Sequence, residues 1–264
     1  MNIRTGADGC PLVGGATLTS LVAGTSDDKK YRVDFADGTR CLLRISRRAR
    51  RGQTGEALAV MRAAEKLGVP AQRPVQCGAA GQWRYSLLTW VEGALLWEVL
   101  PQRTEAEQYA LGLRAGTLLK QIHTAAPAKK KPAAPECRPS VLRHGDFHAK
   151  NLILRADGSL AAIDFVGGCG DPWKDLCAIP VGEEANPFYQ TGLMHGYFHG
   201  APPPDFFAAL AGYFIEDVRT RLSPADPPDV LDTGCRHIQN ILRWFDHFQR
   251  AVPTWYLSNE RSLS

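Results

Sequence analysis

Short strand-like apolar runs dominate the first ninety residues, broken by one helical stretch, and after that the apolar positions fall mainly at helical spacing apart from one hairpin. "ATLTSLVAG" (16–24) and "YRVDF" (31–35) read as strands, and the Asp37-Gly38 turn leads into a third, "RCLLRI" (40–45), giving an antiparallel meander. From Glu56, the residues Leu58, Met61, Ala64 and Leu67 recur on one helical face until Gly68 and Pro70 stop the pattern. "QWRYSLLTWVEG" (82–93) returns to strand character and ends at a glycine. A second helix is expected from Ala106 to His123, with Leu111, Ala115, Leu118, Leu119 and Ile122 as its apolar stripe. The stretch 124–140, rich in Pro, Ala and Lys, reads as an exposed loop. Beyond it "NLIL" and "LAAIDF", separated by the Asp157-Gly158 turn, form a hairpin that brings Asp164 back beside Asn151. Residues 206–222 and 235–252 carry the apolar faces of helices, and no internal repeat is present.

Composition narrows the class. A chain of 264 residues, 44% hydrophobic and 22% charged, can bury a substantial core in one or two domains. The stretch "MNIRTGADGC" lacks the apolar core of a secretory signal, and the longest apolar run, Phe206 to Ile215, is about half a membrane span. A cytoplasmic protein without membrane contact is therefore expected. The seven cysteines (10, 41, 77, 137, 169, 177 and 235) include no C-x-x-C pair and are read as reduced, buried small hydrophobes. The net charge of +4 hides an asymmetry: residues 165–264 hold 7 Lys and Arg against 12 Asp and Glu, and the remainder 24 against 15. No stripe of aromatics accompanies the basic part, so nucleic acid is not the expected partner. A phosphate-rich ligand on the basic side and a cationic one on the acidic side fit better.

The chemistry concentrates in "RHGDFHAKNLIL" (143–154). Asp146 and Asn151 stand four residues apart in the count between them, and Asp164 follows after twelve more. An amide and a carboxylate beside a nucleotide suit Mg²⁺, which takes one or two protein oxygens and completes its shell with phosphates and water.

"HGDFHAKN" matches the pattern H-G-D-x-x-x-x-N, and "IDFVGGCGDPWKDL" carries a metal-binding Asp followed by G-D-P and D-L. On these motifs the chain resembles the aminoglycoside phosphotransferases and related small-molecule kinases over most of residues 12–180. The resemblance implies an α+β, protein-kinase-like two-lobed fold. A small antiparallel-sheet lobe with one helix (1–89) would bind nucleotide, and a larger, mainly helical lobe (90–264) would carry catalysis and the acceptor. It implies ATP or GTP as co-substrate, Mg²⁺ as cofactor, and transfer of the γ-phosphate to a hydroxyl of a small, cationic acceptor such as an aminoglycoside. Asp146 would orient the acceptor hydroxyl, and Asn151 and Asp164 would hold the metal. Arg44 stands where the phosphate-binding lysine usually stands, with Glu56 as its expected partner and Glu65 as the competing carboxylate. The loop "GTSDD" (24–28) would cover the phosphates. The backbone of Thr89 and Val91 would meet the adenine edge, and Lys150 is left without a role. A monomer is expected.

Other readings remain open. The acceptor could be a sugar or a choline-like alcohol, and Arg44 in place of lysine allows a nucleotide-binding protein without turnover. His144 with His148, and His195 with His199, have the i, i+4 spacing of a zinc hydrolase, although Gly145 stands where H-E-x-x-H requires glutamate. The acids Glu183, Glu184, Asp205, Glu216, Asp217, Asp232 and Asp246 are the ones expected to attract a cationic acceptor.

Overall fold

The computed structural model describes residues 3–5, 11–21, 28–47, 55–80, 83–126, 138–221 and 228–257. Two short strands, β1 (Ile3–Thr5) and β2 (Pro11–Val13), pair with each other. The main sheet follows: β3 (Ala16–Leu21), β4 (Lys29–Phe35), β5 (Arg40–Arg47), then helix α1 (Gly55–Lys66), then β6 (Pro74–Ala80) and β7 (Trp83–Thr89). Its order is β3-β4-β5-β7-β6 with every pair antiparallel. Pleating sends alternate side chains to opposite faces. On one face Val33, Cys41, Leu43, Ile45, Trp83 and Leu87 form a small core. On the other face of β5 and β7, Leu42 and Leu88 pack with the much larger core of the helical part. β6 begins at a proline on the sheet edge and is bulged between Pro74 and Gln76, which is where a residue without an N–H is tolerated.

After β7 the chain enters β8 (Ala94–Leu95), α2 (Leu96–Val99) and α3 (Glu105–Ala125). Thr104 caps α3 in a reciprocal capping box with Glu107. Then come β9 (Val141–Leu142), β10 (Leu152–Leu154), β11 (Leu160–Ala162), β12 (Cys169–Gly170), α4 (Pro187–Phe198), α5 (Phe206–Arg221) and α6 (Pro228–Trp244). The arrangement is the expected α+β, two-lobed one, with the antiparallel sheet preceding the helical lobe. Helix α1 differs from the expected pattern: its buried face is Ala57, Val60, Met61 and Ala64, whereas Leu67 lies past the helix end and is 65% exposed. Its residues share one core with α3 and the β10–β11 hairpin, so α1 packs into the larger lobe as well as on the sheet.

The pair α3–α4 is held at backbone distance. Gly112 and Gly116 face Gly192 and Gly196, and a Cβ on Gly116 would sit 2.0 Å from the Leu193 carbonyl oxygen. A Cβ on Gly196 would sit 2.1 Å from that of Leu113. Against this pair α4 is buried nearly all round, with Tyr189, Leu193, Met194 and Tyr197 all inside. None of the described helices is long and apolar enough to cross a membrane.

Candidate active site

His144 is the hub of the site. It is fully buried, its Nε2–H donates to the Ile163 carbonyl at 2.9 Å, and its Nδ1 accepts the Asp146 N–H at 3.2 Å. Those partners define a neutral imidazole, and burial pushes its pKa down against the pull of nearby Asp175. Its carbonyl also accepts the N–H groups of Val166 and Gly167. One side chain thus ties the loop of Asp146 to the segment that carries Asp164. Gly145 is required between them: its φ is +86°, and a Cβ there would meet the Gly167 carbonyl oxygen at 2.4 Å.

Beneath the hub lies Asp175, 4% exposed. It accepts the backbone N–H of His144 at 2.7 Å and of Gly145 at 3.1 Å, and meets His123 Nε2 at 3.1 Å. Burial alone would raise its pKa, but His123, His144 and Arg143 outweigh it and hold the carboxyl below its ordinary value. Its place in the "D-L" motif was visible in sequence. Its anchoring of the His144 and Gly145 amides was not.

Asp146 is 44% exposed at the side chain, with His148 Nε2 3.3 Å from Oδ1 and Asn151 Nδ2 donating to Oδ2 at 3.0 Å. Burial pushes its pKa up, but His148, His144 and Asn151 more than reverse that, so the group is ionised at neutral pH. Asn151 Nδ2 also donates to the Asp146 carbonyl at 2.8 Å, which commits the amide nitrogen and leaves Oδ1 as the atom able to ligate a cation. The hairpin β10–β11 pairs Leu152 with Ala162, and the Ile163 N–H bonds the Asn151 carbonyl at 3.0 Å, so Asp164 does return beside Asn151.

Across the cleft, Arg44 bonds Asp164 Oδ1 through Nη1 and Asp28 through Nη2 at 2.9 Å. Glu56 is not its partner. It sits exposed in the first turn of α1, where a carboxylate is favoured by the helix dipole, and Glu65 instead lies 3.6 Å from Arg73. Of the loop 24–28 only Asp28 lies within the described residues, and it supplies the carboxylate that Glu56 was expected to give.

At the segment after β7 that joins the two lobes, Thr89 and Val91 differ. The Thr89 N–H already donates to the Arg73 carbonyl at 2.9 Å, and its carbonyl accepts from Gln72 Nε2 at 3.2 Å. Thr89 is engaged within the protein because it is the last residue of β7. The Val91 backbone makes no hydrogen bond among the described residues.

Four of the acids counted on the helical side are paired: Glu183 with Lys150, Glu184 with Arg243, Asp205 with Arg138 and Glu216 with Lys174. Lys150 also lies 4.6 Å from the Trp97 ring. The histidine pairs do not converge on a metal. His195 meets Tyr109 and Tyr256 hydroxyls through its two nitrogens at 2.9 Å each, His199 caps α4 in a left-handed conformation, and His144 is used as above. Among the described residues no three His, Cys, Asp or Glu side chains are grouped to hold a metal. The cysteines also depart from expectation: Cys41 is buried, but Cys77, Cys169 and Cys177 are half-buried and Cys235 is exposed, while Cys10 and Cys137 lie outside the described residues.

Residues 17–138 match a family model described as the phosphotransferase enzyme family. No curated protein matches the chain in sequence. Among solved structures, an amicoumacin kinase in complex with AMP-PNP, Ca²⁺ and Ami superposes with a TM-score of 0.61 at 14% identity, covering 94% of this chain and 92% of that one. A choline/ethanolamine kinase family protein from Mesorhizobium loti gives 0.60 at 17% identity over 89% and 91% of the two chains. The ADP-bound aminoglycoside phosphotransferase APH(2'')-Ib gives 0.57 at 16% over 86% and 94%.

Proposed function

We propose, for a chain that matches the phosphotransferase enzyme family over residues 17–138 and has the small-molecule kinase fold over nearly its whole length, that it moves the γ-phosphoryl group of ATP or GTP to a hydroxyl of a small acceptor. The observation that carries this reading is the convergence of Asp146, Asn151 and Asp164 around His144, with Asp164 bonded to Arg44 across the cleft. The lobes divide after residue 89, residues 1–89 forming the nucleotide-binding lobe and 90–264 carrying the catalytic residues and the acceptor site.

The residues present fit a nucleotide and Mg²⁺. Asn151 Oδ1 and the Asp164 carboxylate are hard oxygen donors, and Arg44 Nε is buried with no hydrogen-bond partner, a donor that a phosphate oxygen would satisfy. Mg²⁺ when bound supplies neutralisation of phosphate charge. Asp146, kept ionised by its neighbours, accepts the acceptor hydroxyl's proton or holds that hydroxyl in line for transfer. His144 and Asp175 set the position of that carboxylate through the loop backbone. Val91 meets the base at the hinge.

The acceptor reading is a cationic small molecule, aminoglycoside-like, supported by the negative surplus of residues 165–264. Two acids of that segment, Glu183 and Asp205, are paired with Lys150 and Arg138 from outside it, which reduces that surplus, so an uncharged sugar or a choline-like alcohol is the second reading. Acceptor-dependent release of ADP or GDP across aminoglycosides, other cationic antibiotics, choline-like alcohols and sugars tests both. A cationic acceptor should show a KM that climbs with ionic strength, because exposed charges are screened beyond about 8 Å at physiological salt. Asp146→Asn should lower kcat by roughly 10²-fold or more while acceptor KM stays near wild type. Nucleotide binding with no acceptor-dependent turnover from any class would leave a binding protein and overturn the kinase reading.

A further inference from the structure

Lys30 belongs to none of the motifs. It lies on β4 directly opposite Arg44 on β5, and Arg44 in turn pairs with Ser86 on β7. All three therefore share the sheet face opposite the small core of Val33, Leu43, Ile45 and Leu87. Lys30 and Arg44 are only 9% and 12% exposed at the side chain. Like charges opposed on neighbouring strands repel, and withdrawing each from water adds to the cost.

Two carboxylates offset that cost. Asp28 takes one edge of Arg44, and Asp164 is shared: Oδ1 bonds Arg44 while Oδ2 lies 3.5 Å from Lys30 Nζ. Asp164 is held by both cations at once. Yet the kinase reading requires the same carboxylate to face a metal, and each interaction of Asp164 with a metal withdraws it from these cations. Their charge is then matched by an anion carrying several oxygens on the same side of the cleft, which a polyphosphate is.

We propose that Lys30 is a second phosphate-binding residue, which with Arg44 forms a clamp from two adjacent strands on the nucleotide's phosphates. The inference rests on the proposed function. The two side chains divide the task by their chemistry: Arg44 offers a planar fork for two oxygens, and Lys30 a compact ammonium with three rotatable donors.

Titration calorimetry on the full chain tests it, with a non-hydrolysable nucleoside triphosphate plus Mg²⁺ and, separately, the matching nucleoside without phosphates. Lys30→Met should weaken triphosphate binding by about tenfold or more, the loss of one charge-assisted contact, and leave nucleoside affinity within about twofold. Lys30→Arg should recover part of the loss. If Lys30→Met fails to fold, Lys30→Gln and Lys30→Arg carry the comparison, with Gln the weaker binder. Wild-type affinity for the triphosphate in the uncharged variants, or an equal loss for triphosphate and nucleoside, overturns the assignment and makes Lys30 a structural partner of Asp164. A wild-type protein that binds neither ligand overturns the kinase reading itself.

Discussion

Asp164 holds a backbone φ of 57°, in the left-handed region that most side chains avoid and Asp and Asn tolerate. Substituting it therefore tests two things at once. Asp164→Asn keeps the backbone preference and an oxygen for one cation, whereas Asp164→Ala loses both and adds about 1 kcal/mol of conformational strain. Both should abolish nucleotide turnover at saturating Mg²⁺, but thermal melts should rank wild type above Asp164→Asn and Asp164→Ala last. Unchanged turnover in either would end its assignment to the metal. Asp175 makes a different forecast. Its folded carboxyl titrates below the ordinary 3.8, so the stability it adds is complete above that value and is lost as pH falls through the lower folded one. Asp175→Asn should lower stability at neutral pH by about 3 kcal/mol and flatten the acid side of a Tm-versus-pH curve. At this scale the sequence was legible where chemistry is contiguous: Asp146 and Asn151 share a loop, and one short hairpin returns Asp164 to them. It was not legible where register decides, since Lys30 reaches Asp164 only because β4 and β5 pair as they do.

Among the elements, the closest packing is also the easiest to misjudge. A glycine inside a helix is normally improved by alanine, by about 0.5–1 kcal/mol. Gly212 on α5 is exposed, with open space where a Cβ would go, and Gly212→Ala should stabilise by that amount. Gly116→Ala should have the opposite sign. Its Cβ would lie 2.0 Å from a carbonyl of α4, so the helices must part, at a cost of about 1–3 kcal/mol read from denaturant or thermal unfolding. Similar gains at both sites would refute the backbone-contact account. The stripe of α3 was readable because Leu111, Ala115, Leu118, Leu119 and Ile122 all turn inward. Helix α4 was hidden for a physical reason: buried on nearly every side, it has no polar face to set a period, and Gly192 and Gly196 imitate a loop. The expected Leu67 of α1 failed because the helix ends one residue earlier.

In the whole molecule, the sheet lobe and the helical lobe are joined across the cleft by Arg44 and Lys30 on Asp164. Coupling follows from shared use of one carboxylate. A nucleotide that draws the two cations away frees Asp164, so divalent-metal affinity should tighten about tenfold or more when nucleotide is present, and nucleotide affinity should tighten by the same factor with metal. Mn²⁺ titrations with and without a non-hydrolysable nucleotide would measure it, and equal Mn²⁺ affinities would refute it. The charge split between the two parts was plain in the sequence, but its partial cancellation was not, because Lys150 and Arg138 of the basic part meet Glu183, Asp171 and Asp205 of the acidic part only in three dimensions. His144 closes the account in a way that can be watched directly. Its ring proton is donated to Ile163 in a site shut off from solvent, and so should exchange slowly and give its own downfield resonance in water. That signal would persist across neutral pH, move when a ligand shifts Asp146 or Asp164, and vanish when the loop lets go, a spectroscopic lamp at the centre of the cleft.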